Sequence, residues 1–276
     1  MKVKLMKIKV LGNGSYGVVH LGKIVTPVYN QIYAVKSINE YYSSFLRKEK
    51  EILLKFFGCP NIIQCYGGFT SFEQGQGEVY NMFLEYAPEG SLLDLMNKYG
   101  GKIPENDVKC YTQMIFEGLL DVHERVLIHF DLKPGNILAF TPQHGTRLST
   151  LKIADFRLAK QQGVKDTTSR FRGKVSGALD ICSLGCIVVE MIMGRLPWDT
   201  HERDDLRDKL LRGESPNIPK DMSKLGKSFF GNVLLSIQTK GRMLASYYVI
   251  HIFFYQSTCF QKITNNLYHA INSKKY

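Results

Sequence analysis

Over residues 4–33 apolar and polar positions alternate, and glycines break the alternation, which predicts a twisted antiparallel sheet with tight turns. Residues 43–57 change period: Phe45, Leu46, Ile52, Leu53 and Phe56 recur at helical spacing, so a helix carrying Glu49 and Glu51 is expected. Two further strands are predicted at Asn61-Ile62-Ile63-Gln64-Cys65-Tyr66 and over residues 80–86. From Ser91 onward helical spacing dominates, first in Leu92-Leu93-Leu95-Met96 and then over residues 108–124. Leu127-Ile128 and Ile137-Leu138 read as short buried strands on either side of a polar loop. Residues 140–150 are polar, with Pro142 and Gly145, and read as a connection within a hairpin. Another apolar strand follows at residues 151–153, and a buried helix spans residues 187–194.

An apolar fraction of 44% in 276 residues is enough for a packed core and argues against disorder. The net charge of +11 invites a nucleic-acid reading, but Lys and Arg are scattered, with no arginine-rich run, so no nucleic-acid partner is expected. A basic surface facing acidic partners or phosphorylated ligands fits better. The six cysteines form no Cys-x-x-Cys pair and keep no zinc-type spacing with histidine, so reduced thiols are expected. The first ten residues alternate Lys with apolar side chains instead of forming a hydrophobic block, so they read as a strand and not as a secretory signal. Residues 247–255 are strongly apolar but fall short of the ~20 needed to cross a bilayer. They read as a buried element, with an exposed tail as the alternative.

The chemistry concentrates in His129-Phe130-Asp131-Leu132-Lys133-Pro134-Gly135-Asn136, which sets an acid, a cation and a carboxamide at short fixed spacing. Asp131 can accept a proton from an attacking hydroxyl, Lys133 can neutralise a transferred phosphoryl group, and Asn136 can hold a metal ion. Upstream, Leu11-Gly12-Asn13-Gly14-Ser15-Tyr16-Gly17-Val18-Val19 would let backbone lie close over phosphates, with Val19 against a purine; on its own it is equally a structural hairpin. No helix follows Gly17, which removes a Rossmann reading. Lys36 ends an apolar strand, where its charge needs an anion.

These motifs, in this order, resemble eukaryotic serine/threonine protein kinases, most of all plant mitogen-activated protein kinase kinase kinases of the MEKK type. The resemblance runs over about residues 7–227 and implies an α+β, bilobal kinase-like fold, with a small β-rich N-lobe (1–86), a mostly helical C-lobe (87–227) and a divergent C-terminal segment (228–276). It implies that ATP lies against Leu11, Gly12, Gly14, Gly17, Val19, Ala34, Leu84, Glu85, Ala87 and Leu138. Leu84 would guard the pocket behind a hinge formed by Glu85-Tyr86-Ala87-Pro88-Glu89-Gly90-Ser91-Leu92. Lys36 would hold the α and β phosphates and pair with a helix glutamate; aligning the helix selects Glu49, with Glu51 as the fallback. Asp155, in Ala154-Asp155-Phe156-Arg157, matches the family's Mg²⁺ ligand, beside Asn136. The implied reaction moves the γ-phosphoryl group of ATP to Ser or Thr of a protein, a downstream MAP kinase kinase, in the cytoplasm, with a nuclear pool as an alternative.

Four departures stand out. Phe130 occupies the family's usual Arg position, and Arg157 its usual Gly position, where the backbone is expected to need a conformation costly for a side chain. Cys182 stands where Trp is usual, near Asp180 and Gly185 at the start of a long helix. Between Gly173 and Lys174 roughly a dozen residues of the family's activation segment, with its Ala-Pro-Glu motif, are missing. The competing expectation is therefore a nucleotide-binding pseudokinase, or an inactive truncated or spliced product acting as an interaction module.

Overall fold

The computed structural model describes residues 4–14, 17–25, 30–143, 145–163, 177–195, 222–224 and 226–227. The junction at Gly173-Lys174, the hydroxyl residues Thr167, Thr168 and Ser169, the loop after Arg195 and the segment 228–276 lie outside them. The described residues build a β-sheet lobe followed by helical elements, the two-lobed α+β arrangement that the resemblance implies.

Strands β1 (Lys4–Gly14), β2 (Gly17–Val25), β3 (Asn30–Asn39), β4 (Cys65–Glu73) and β5 (Gly77–Leu84) form one antiparallel sheet in the order β1-β2-β3-β5-β4. Helix α1 (Ser44–Leu54) packs on it through Leu46, Ile52 and Leu53, the apolar face that the spacing predicts. The strand expected from Asn61 begins only at Cys65, because residues 61–63 pair elsewhere. Ile63 N donates to the Ile153 carbonyl (2.9 Å), Ile153 N to the Asn61 carbonyl (2.8 Å), and Asn61 Nδ2 to the Leu151 carbonyl (3.0 Å). The segment thus couples the sheet lobe to the second lobe.

The second lobe is built on α2 (Leu92–Lys98), α3 (Glu105–Glu124) and α4 (Ala178–Met193), with the short pairs β6 (Leu127–Ile128) with β9 (Lys160–Gln161), and β7 (Ile137–Phe140) with β8 (Thr150–Ile153). Helix α3 starts a turn before its first apolar repeat: Pro104 precedes it, and Glu105 and Asp107 complement the dipole in its first turn. The β7–β8 hairpin matches the polar connection read from residues 140–150. Helix α4 ends at Gly194, whose φ of 71° is the left-handed conformation that closes a helix and lets its N–H reach the Glu190 carbonyl at 2.8 Å. The core runs from Leu46 and Phe56 through Ile115 and Leu119 of α3 to Leu184 and Met191 of α4. No helix among the described residues is long and apolar enough to cross a membrane.

Candidate active site

Lys36 lies in β3, next to β2 on one side and β5 on the other, and its side chain is almost fully enclosed. Its ammonium meets Glu49 Oε2 of α1 at 2.7 Å and Asp155 Oδ1 at 3.3 Å. Burial pushes the Glu49 carboxyl up, and the Lys36 charge works against that. Glu51, the fallback partner, is exposed.

Asp155 sits in the left-handed region (φ 67°, ψ 69°), which Asp tolerates better than most residues. A 3-10 turn, Phe156–Leu158, follows and brings Arg157 back over it. Arg157 Nε donates to Asp155 Oδ1 and Nη2 to Oδ2 at 2.5 Å, a two-point fork. Burial raises the Asp155 carboxyl, but the Arg157 hydrogen bonds together with the Lys36 and Arg157 charges outweigh it, and the group ends below the usual carboxylate range. The conformational cost expected at Arg157 is absent there: the positive φ values in this region are at Asp155 and Phe130.

The loop after β6 is strung between two anchors. The His129 and Phe130 backbone N–H groups donate to Asp180 Oδ2 (2.8 Å) and Oδ1 (2.9 Å) in α4, and His123 of α3 donates through Nε2 to Oδ2 at 2.9 Å. On the other side, His129 Nε2 faces the Ala154 carbonyl at 2.9 Å, so that nitrogen carries the hydrogen, and Nδ1 accepts from Asp131 N at 3.3 Å. Held this way, Asp131 Oδ2 accepts from Lys133 Nζ (2.8 Å) and Asn136 Nδ2 (2.9 Å), and Asn136 Nδ2 also reaches the Asp131 carbonyl at 2.7 Å. Asp131, Lys133 and Asn136 therefore form one cluster. The Asn136 carbonyl accepts from Ala154 N at 2.8 Å, which joins this cluster to the Asp155 segment.

Phe156 is fully buried and packs on Phe56, just past α1, with ring centroids 5.4 Å apart. It meets His129 edge-on at 4.8 Å. This aromatic stack links the lobe that carries Lys36 and Glu49 to the loop that carries Asp131. At the back of the cleft Ala34 is buried and pairs in register with Leu84, while Val19, Ala87 and Leu138 are half-buried and Leu11 is exposed. Gly12, Gly14 and Gly17 lie at the β1–β2 end of the sheet, where Gly14 pairs with Gly17. The segment 85–91 is tied down by Glu89 N to the Ala139 carbonyl (3.2 Å), Ala139 N to the Gly90 carbonyl (2.8 Å) and a bridge between Ser91 and Leu138. The Glu85 carboxylate takes Lys152 Nζ on both oxygens at 2.8 Å.

Sequence reading placed Asp180 only as a helix residue and missed its anchoring role, along with His123 and Lys152. The signal was there for Asp180: an acid within an apolar helix must find donors or lose its charge. Lys160 was also missed; its ammonium lies 4.4 Å from the centroid of the Phe130 ring.

A sheet lobe carrying a lysine–glutamate pair, set over a loop carrying an acid, a lysine and an asparagine, is the arrangement of a protein kinase. A model of the protein kinase domain matches residues 5–254, well past Lys227, where the motifs fade to the eye. Mitogen-activated protein kinase kinase kinase 20 of Arabidopsis thaliana is 34% identical over 229 residues, covering 75% of this chain and 65% of that relative. Kinase kinase kinase 18 of the same plant is 32% identical over 266 residues, covering 89% and 76%. The human mitogen-activated protein kinase kinase kinase 5 is 31% identical over 245 residues, 80% of this chain and 17% of that relative. The chain belongs to the protein kinase family and is most like its mitogen-activated protein kinase kinase kinases. It spans 65% and 63% of the lengths of the first two plant relatives, kinases 20 and 17.

Protein kinases use ATP with a divalent metal. Asn136 and Asp155 offer the hard oxygen donors such an ion takes. As arranged they do not fit it, because Arg157 occupies both Asp155 oxygens. Among the described residues no three His, Cys, Asp or Glu side chains cluster to hold a metal elsewhere.

Proposed function

We propose that this chain is an ATP-dependent serine/threonine kinase of the MAP kinase kinase kinase type. The observation that carries this reading is the aromatic contact from Phe56 through Phe156 to His129, which joins the Lys36–Glu49 pair to the Asp131 loop. A kinase needs both halves present at once, since its catalysis is positioning and charge stabilisation more than covalent chemistry.

In this reading ATP lies between the lobes, with its adenine along residues 85–87 and its phosphates under Gly12, Gly14 and Gly17 and against Lys36. Asp131 accepts the proton of a Ser or Thr hydroxyl as that oxygen bonds to the γ-phosphorus. The bond from that phosphorus to the β-γ bridging oxygen breaks, and ADP leaves. Lys133, 2.8 Å from Asp131, carries a cation to the place where negative charge moves. The names of the relatives favour a downstream MAP kinase kinase as the protein substrate; a cytoplasmic place of action is part of the same proposal and rests on the resemblance alone. Mg²⁺ is the divalent ion that the family resemblance implies beside ATP, and Arg157 on both Asp155 oxygens leaves that carboxylate closed to it as arranged.

The test is transfer of radiolabelled phosphate from ATP to a recombinant, catalytically dead MAP kinase kinase, read against Asp131→Asn. Label on substrate Ser or Thr with the parent and none with the variant is expected. Equal labelling by both would remove the reading.

A further inference from the structure

The fork of Arg157 on Asp155 changes the charge of the cleft. Lys36, Glu49 and Asp155 together carry one net negative charge, which invites a cation. Arg157 brings the group to zero. Both side chains of the pair are about four-fifths enclosed, at 18% and 19% exposure, so water screens them little. Guanidinium stays protonated at any working pH, so only movement of the side chain, and no loss of a proton, can free Asp155. Its fork also matches planar oxygen pairs, phosphate included. The Asp131 and Glu49 carboxylates lie close enough to favour the Arg157 cation further.

We propose that Arg157 takes the place of the divalent cation at Asp155, so that this cleft binds a nucleoside triphosphate with Arg157 and Lys36 as its counter-cations and gains little affinity from metal. The inference rests on the nucleotide cleft proposed above. An octahedral ion needs open carboxylate oxygen at close range, whereas Asp155 offers oxygens already engaged by a tethered cation whose local concentration no dissolved ion matches. The triphosphate needs cationic donors, and Lys36 and Arg157, held here by Glu49 and Asp155, carry more N–H groups than those carboxylates engage.

The experiment titrates a fluorescent ATP analogue into the full chain in EDTA and again in excess MgCl₂, for the parent, Arg157→Gly and Arg157→Gln. The glutamine variant keeps part of the side-chain stem and removes the charge together with the guanidinium fork. For the parent, affinities in the two buffers should agree within about threefold, whereas both variants should bind about tenfold more weakly in EDTA than in Mg²⁺. A parent that loses tenfold or more in EDTA, as the variants do, overturns the proposal. So does a parent that binds nothing while Arg157→Gly binds Mg-ATP, and that result leaves the nucleotide cleft standing. Failure of all three proteins to bind in either buffer overturns both readings together.

Discussion

The Phe130 backbone hangs on Asp180, fifty positions later in the chain: its N–H donates to Oδ1 at 2.9 Å while the neighbouring His129 N–H takes Oδ2 at 2.8 Å. The catalytic loop is thus held by a helix from the second lobe. With φ at 69°, Phe130 needs such a hold, because a bulky residue enters the left-handed region only when its surroundings compel it. Replacing Asp180 by Ala would leave two backbone donors unsatisfied in a buried place and take one hydrogen-bond acceptor from His123, at a cost of about 3 kcal/mol. Urea denaturation should show a loss of that order, with phosphate transfer falling in parallel. Stability equal to the parent's would mean that the loop holds itself.

Lys36 and Glu49 are a buried pair, so removing one partner should hurt more than removing both. Lys36→Met strands the Glu49 carboxylate and should cost about 3 kcal/mol, while Lys36→Met with Glu49→Leu should recover much of it. Thermal unfolding of the three proteins decides the order. Nucleotide affinity should fall in both variants, because the phosphate-binding cation is gone in each.

Asp131 is separable from nucleotide binding. Its carboxylate holds Lys133 and Asn136 and not the residues along the adenine edge. Asp131→Asn should lower the transfer rate by about a thousandfold and leave the affinity for ATP within about twofold. An unchanged rate would give the base role to another group.

Val126 is a β-branched residue with φ at 59°, just past the end of α3, where its N–H bonds to the His123 carbonyl at 3.0 Å. It is 48% exposed, so little packing is at stake. Val126→Gly should relieve the backbone and raise stability by about 1 kcal/mol, visible as a higher melting temperature. A lower melting temperature would show that the valine side chain contributes more than its conformation costs.

Phe130 offers a phosphate no charge-assisted hydrogen bond, so replacing Thr167, Thr168 and Ser169 together by Ala should change activity by no more than about twofold. A side-by-side kinase assay with and without phosphatase checks this. A tenfold loss would point to Lys160, which rests on the Phe130 ring and lies in the strand paired with β6, as the reader of the phosphate.

Much of this protein is local in origin and so was legible along the chain. The alternation in β1 to β3, the helical spacing of α1 and α3, the β7–β8 hairpin and the cluster of Asp131, Lys133 and Asn136 all lie within short windows, where spacing alone decides which side chains meet. The choice of Glu49 over Glu51 came from aligning the helix with a family, and the structure places Glu49 at Lys36. Residues 61–63 looked like a strand for the same local reasons and were misread, because their partner is Ile153, ninety positions on.

What the tertiary structure alone decided are the relationships between charges. Nothing in the run Ala154-Asp155-Phe156-Arg157 announces that the arginine folds back on the aspartate, since this depends on the backbone turning left-handed at Asp155. Nothing in α4 names the donors that Asp180 will find, since they come from a loop fifty residues earlier. Periodicity reports which face of an element is buried, because burial acts on every residue of that face. A single ion pair or anchoring carboxylate acts at one point between distant segments and leaves no period in the sequence, so only the packing of α1, α3 and α4 around the loop reveals it.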